Sequence, residues 1–206
     1  LTLDLPGHGS AARITASLPE IADLVLDALP REPVIVGGYS FGARVALHVA
    51  LEDPHRVRAL VLLSGSRGIL DVEERQNRRG RDEALATHLQ EVGTDVFLGE
   101  WLAQPLFSTL GHHAESDTRS HDAAGLAQSL RRAGTGTQEW LGDRLAGLDL
   151  ATLAMAGELD AKFVGEARAI VDQLPHATLS IIPGAGHAAH LEQPELVARA
   201  IEDFLA

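Results

Sequence analysis

Val34-Ile35-Val36-Gly37-Gly38-Tyr39-Ser40-Phe41-Gly42-Ala43-Arg44-Val45-Ala46-Leu47 is the stretch that decides the fold. A short apolar run breaks into Gly-x-Ser-x-Gly and re-emerges at once with helical spacing, which reads as strand, nucleophile elbow and helix. The chain has to reverse within two residues. Gly38 and Gly42 are therefore expected to let strand and helix approach, with Ser40 at the strained apex and its hydroxyl exposed. The competing reading is a plain buried turn.

On the amino-terminal side, Leu1 to Asp4 reads as a strand that Pro6-Gly7 ends, followed by a polar loop through Ser10. Between Ile14 and Leu29, apolar residues recur three and four apart, the pattern of an amphipathic helix. Val34 to Val36 is a continuous apolar run of the buried parallel-strand kind, Phe41 to Glu52 the helix after it, and Val57 to Leu63 another buried strand. This alternation predicts a mostly parallel sheet covered by helices on both faces. From Ser64 to Asp149 no comparable strand follows. Helical segments are expected at Val72 to Arg78, Asp82 to Val92, Val96 to Leu102 and His121 to Leu130. The length exceeds an ordinary crossover, so residues 65–149 read as a helical cap inserted into a core of residues 1–64 and 150–206. A separate small helical domain is the other reading. The sheet resumes at Ala151 to Ala156, with a helix from Phe163 to Leu174, a strand from Thr178 to Ile182 and a final helix from Pro194 to Leu205.

The totals bound the function classes. A chain of 206 residues with 45% hydrophobic content can bury one sizeable core. A formal charge of -12 gives no footprint for nucleic acid or an anionic membrane. The apolar runs are too short to span a bilayer. With no cysteine, thiolate chemistry and disulfides are excluded, and a cytoplasmic setting is expected. Lys162 is the one lysine, which leaves anion binding to the bidentate guanidinium groups of the arginines. A strand at Leu1 with nothing before it would leave a sheet edge open. Further strands are therefore expected ahead of Leu1, and with them a second oxyanion donor.

Ser40 needs a base, and the base an orienting carboxylate. Gly157-Glu158-Leu159-Asp160 follows one late strand and Pro183-Gly184-Ala185-Gly186-His187 the next. Serine, aspartate, histidine is the chain order of the α/β-hydrolase triad, so Asp160 is the candidate orienter and His187 the candidate base. Asp4 competes as the acid, although its expected role is to fix its own loop. His190 either lines the pocket or caps the last helix. His112 and His113 are adjacent and offer no convincing metal spacing. The backbone N–H of Phe41 is the expected oxyanion donor. Arg44 lies one helical turn beyond Ser40 and can point at the same pocket. Arg78 and Arg131 lie in the insertion, where they either descend on an anionic substrate or remain solvated charges. Trp101, Phe107 and Trp140 are core residues by default, with one of them lining the pocket.

Six stretches together resemble one family: Asp4-Leu-Pro-Gly-His-Gly-Ser10, Gly38-Tyr-Ser-Phe-Gly-Ala-Arg44, Trp101-Leu-Ala-Gln-Pro-Leu-Phe107, Ser129-Leu-Arg-Arg-Ala-Gly-Thr-Gly-Thr-Gln138, Gly157-Glu-Leu-Asp-Ala-Lys-Phe163 and Gly186-His-Ala-Ala-His190. They are similar to the 2-succinyl-6-hydroxy-2,4-cyclohexadiene-1-carboxylate synthases, menaquinone-biosynthesis lyases of the α/β-hydrolase fold. The resemblance implies a triad of Ser40, Asp160 and His187. It implies that Arg44, Arg78 and Arg131 hold substrate carboxylates and that Tyr39, Trp101 and Phe107 are pocket aromatics. It also implies a 2,5-elimination of pyruvate from a small anionic carboxylate substrate, with no cofactor or metal. Ala43, Leu102 and Ala188 depart from the family's pattern. A serine esterase, a carbon–carbon bond hydrolase of the same fold and a non-catalytic remnant are the alternatives.

Overall fold

The computed structural model of the chain describes residues 1–111 and 122–206. Its centre is a four-stranded parallel sheet in the order β1 (Val34–Tyr39), β2 (Val57–Leu63), β3 (Ala151–Gly157) and β4 (Ala177–Ile182). Both faces of the inner strands are covered, which is why they read as apolar runs broken only by Arg58 and Thr152. In β2, Leu60 and Leu62 enter one core while Val61 and Leu63 enter the other, and β3 divides in the same way between Ala154 with Ala156 and Leu153 with Met155. The first core is closed by α1 (Leu18–Ala28), α2 (Phe41–Glu52) and α7 (Ala161–Gln173) through Ile21, Leu47 and Ile170. The second is closed by the short α8 (Ala189–Glu192) and α9 (Pro194–Leu205) through Ala189 and Val197.

Several boundaries differ from expectation. Leu1 to Asp4 forms no strand; Leu1 is 92% exposed, and no described strand lies alongside to complete a ladder. Helix α1 starts at Leu18 rather than Ile14 because Ser17 and Glu20 form a capping box, with Pro19 in the first turn. Strand β1 runs on to Tyr39 and is half-buried, as befits the edge of the described sheet.

Between β2 and β3 the described chain is helical: α3 (Val72–Val92), α4 (Thr94–Leu102), α5 (Ala123–Ala133) and α6 (Gly142–Leu145). The two helices expected at the start are one, since α3 runs straight through Gly80. Ala86, Leu89, Phe97 and Ala127 form a small core of their own. Ala133, Leu141, Leu145 and Leu148 instead join the first main core, so the later part of this segment packs with the sheet layer. No helix among the described residues is long and apolar enough to cross a membrane.

Candidate active site

The site forms where the strands end. Ser40 follows β1 with φ 49°, a left-handed backbone that costs a non-glycine residue roughly 1 kcal/mol or more. It is held there by its own N–H, which donates to the Leu63 carbonyl at 2.8 Å and extends the ladder past the strand. A Cβ on Gly38 would lie 2.1 Å from the Gly42 carbonyl carbon, so this position admits only glycine. Gly42 differs from expectation, because a Cβ there meets nothing within 4 Å. The close approach is made by the backbone of Gly42, and the glycine is required on the strand side.

Asp160 follows β3 and caps α7, its Oδ1 accepting the Phe163 N–H at 3.3 Å. His187 lies on the loop after β4. The β3 turn and the histidine loop pass so closely that a Cβ on Gly157 would sit 2.0 Å from the Gly186 carbonyl oxygen. The approach produces a relay: His187 Nδ1 is 2.8 Å from Asp160 Oδ2, and His187 Nε2 is 3.1 Å from Ser40 Oγ. Asp160 and His187 are buried. A neutral imidazole that donates from Nδ1 to the carboxylate presents the Nε2 lone pair to the serine hydroxyl, the arrangement that lets Ser40 lose a proton. Asp4 takes no part in the relay, since its Oδ2 accepts from the N–H and Oγ of Ser10, both at 2.9 Å.

Aromatic rings enclose the base. Phe163, Tyr39 and Phe107 have ring centroids 4.5, 5.3 and 5.8 Å from that of His187. Tyr39 also lies 4.4 Å from His190. Burial, reinforced by Glu192 and Asp160, raises the Tyr39 phenol above its usual range, so it stays protonated. His190 lines this wall. Burial and then His187 lower its pKa, and its Nδ1 finds no hydrogen-bond partner among the described residues. Trp101 is one ring further out, 6.3 Å from Phe107 and 5.8 Å from Phe97. Trp140 lies elsewhere, under the Arg67 guanidinium at 4.9 Å. Phe41 opens α2, where first-turn N–H groups lack an intrahelical acceptor, so its N–H is available beside Ser40.

The arginines divide. Arg44 Nη1 donates to the Ala133 carbonyl at 3.0 Å and to Gln138 Oε1 at 3.2 Å, and its guanidinium lies 5.2 Å over the Phe41 ring. Burial, with Arg78 adding, brings it down to about 10, and Asp82 opposes that shift. A partly buried guanidinium whose charge is disfavoured by burial and by a neighbouring arginine is suited to an anion. Arg78 Nε pairs with Asp82 at 2.8 Å, and the other oxygen of that buried carboxylate accepts the Gly136 N–H at 2.9 Å. Arg131 has other partners. It bonds Glu83 at 2.9 Å and Gln90 at 2.9 Å, and it lines an open cleft between α3 and α5. No hydrogen bond or ring contact among the described residues joins it to the triad.

Four further residues emerge only in three dimensions. Gln138 ties Arg44 to the core, its Nε2 donating to the Ser66 carbonyl at 3.0 Å, and Asp82 anchors Arg78. Ser64 and Glu192 bond the loop of the base. Gln138 stands inside a motif stretch, but nothing in the sequence marked the others. Among the described residues no group of three or more histidine, aspartate or glutamate side chains is placed to hold a metal; His112 and His113 lie outside those residues.

Comparison with known proteins agrees with this geometry. Residues 1–200 match the family model described as the Alpha/beta hydrolase family. The 2-succinyl-6-hydroxy-2,4-cyclohexadiene-1-carboxylate synthase of Klebsiella pneumoniae subsp. pneumoniae is 33% identical over 214 residues, covering 100% of this chain and 83% of that protein. The Serratia proteamaculans synthase is 32% identical, covering 100% and 82%. Among solved structures, MenH from S. aureus superposes with a TM-score of 0.91 at 32% identity, covering 99% of this chain and 82% of that one.

Proposed function

The chain belongs to the alpha/beta hydrolase family and, within it, to the 2-succinyl-6-hydroxy-2,4-cyclohexadiene-1-carboxylate synthases, and from that premise we propose that Ser40 works as a base rather than as a nucleophile. The protein is a carbon–oxygen lyase of menaquinone biosynthesis. It eliminates pyruvate from 2-succinyl-5-enolpyruvyl-6-hydroxy-3-cyclohexene-1-carboxylate. The observation that carries the reading is the Ser40–His187–Asp160 relay, with Arg44 one helical turn beyond Ser40 on α2.

In the proposed mechanism His187 accepts the Ser40 proton while Asp160 holds the imidazole and balances its charge. The Ser40 oxygen removes the ring proton, electrons move through the ring double bond, and the carbon–oxygen bond to the enolpyruvyl group breaks. The departing enolate takes up a proton and leaves as pyruvate. Charge that develops on the succinyl carbonyl is met by the Phe41 N–H. Arg44 and Arg78 hold carboxylates of this small anionic substrate, and Tyr39, Phe107 and Trp101 exclude water around the base. Residues 65–149 act as a cap over the core of residues 1–64 and 150–206. Arg131, braced by Glu83 and Gln90, would bring a third guanidinium from the cap to the substrate carboxylates. The acidic, cysteine-free composition suits a cytoplasmic enzyme.

A serine hydrolase would use the same triad but acylate Ser40. Intact-mass measurement during turnover separates the two. The lyase reading expects product to form with the enzyme mass unchanged, whereas an adduct on Ser40, with rapid turnover of a simple ester, would overturn it.

A further inference from the structure

His187 is fixed by more than its aspartate. Its loop, Pro183-Gly184-Ala185-Gly186-His187-Ala188, has no other side chain capable of a hydrogen bond, so it cannot anchor itself. Yet the ring must keep 2.8 Å to Asp160 and 3.1 Å to Ser40 at once. The backbone on both sides of the histidine is held from outside. The Gly186 N–H donates to Glu192 Oε2 at 2.7 Å and the Ala188 N–H to Glu192 Oε1 at 3.1 Å, so one carboxylate brackets the base with two charge-assisted bonds. From the opposite side, the Ser64 hydroxyl donates to the His187 carbonyl at 2.9 Å. Ser64 is itself buried and has φ 51°, and its N–H donates to the Met155 carbonyl at 2.8 Å, which ties the contact to the sheet. Ser40 and Ser64 therefore repeat one device on neighbouring strands: a left-handed residue just past the strand end, its N–H bonded to the next strand.

We propose that Glu192 and Ser64 are positioning residues that hold the backbone of His187 in register with Ser40 and act on the reaction through that histidine. The proposal rests on the reading of His187 as the base of the elimination. Neither residue touches the reacting atoms. A base moved by a fraction of an ångström loses rate while substrate binding is retained.

The test is a mutant cycle on pyruvate release. Glu192→Gln keeps size and shape, but its amide can accept only one of the two N–H groups and turns a donor toward the other. It is expected to lower kcat about tenfold or more, with KM within about twofold. On a His187→Ala background the same substitution is expected to cost nothing further, because the group it positions is gone. Ser64→Ala, which leaves every charge in place, repeats the cycle and guards against misfolding in the first variant. A wild-type kcat in both variants, or a loss that recurs in full on His187→Ala, overturns the proposal. A wild-type chain that releases no pyruvate fails the functional reading instead, before any variant is compared.

Discussion

Ser40 and Arg44 divide the work of one helix end. Ser40 lies within 3.1 Å of the base, so Ser40→Ala removes proton abstraction and leaves binding intact. The expected result is a loss of roughly 10²- to 10⁴-fold in kcat with KM little changed, read by steady-state pyruvate release. Arg44→Ala instead deletes the proposed carboxylate partner and should cost roughly 2 to 5 kcal/mol in kcat/KM. Arg44→Lys should recover only part of that, because an ammonium lacks the guanidinium fork. Unchanged kinetics in Arg44→Ala would remove it from the binding site. The triad was legible in the sequence because each member follows a recognisable strand and the three stand in fold order. The fate of Arg131 was not, because its partner Glu83 lies 48 residues away on another helix.

The elements impose their own demands, and the elbow is the most specific. Gly38→Ala would drive a Cβ into the backbone of Gly42 and should prevent correct folding of the β1–α2 turn. Gly42→Ala meets open space, and in the first turn of a helix it should raise stability by about 0.5 to 1 kcal/mol in urea denaturation. The sequence motif marks both glycines alike, and only the direction of each missing Cβ tells them apart. Strands β2 and β3 were readable, but for Gly157 at the end of β3, because burial on both faces demands apolar runs, broken here only by Arg58 and Thr152. Leu1 to Asp4 has the same local alternation but no described partner strand, and pairing is a long-range property that alternation cannot report. In the helical segment, Asp82→Asn leaves Arg78 without its counter-charge. A fully buried pair would lose about 3 to 5 kcal/mol. Here about 2 kcal/mol is expected, because the Arg78 side chain keeps 26% of its surface in water.

For the whole molecule, acid stability depends on a histidine outside the catalytic relay. Burial, with Arg144 and Arg44 adding, lowers His48 from 6.5 to about 4, and its Nε2 has no partner among the described residues. Between those values the unfolded chain binds a proton that the folded chain refuses. The contribution is intact above about pH 6.5, falls as the pH drops, and is gone below about pH 4, a change on the order of 3 kcal/mol. His48→Leu should flatten denaturation midpoints across that window, and an equal slope in the variant would assign the acid sensitivity to other groups. The architecture as a whole joins a parallel sheet, which carries the relay at its strand ends, to a helical segment that brings Arg78 toward Arg44. The most direct measurement on the account is pyruvate release from 2-succinyl-5-enolpyruvyl-6-hydroxy-3-cyclohexene-1-carboxylate by the purified chain. One pyruvate for each cyclohexadiene product, released roughly 10²- to 10⁴-fold more slowly by Ser40→Ala, is the predicted result; no pyruvate, or undiminished release from Ser40→Ala, would contradict it.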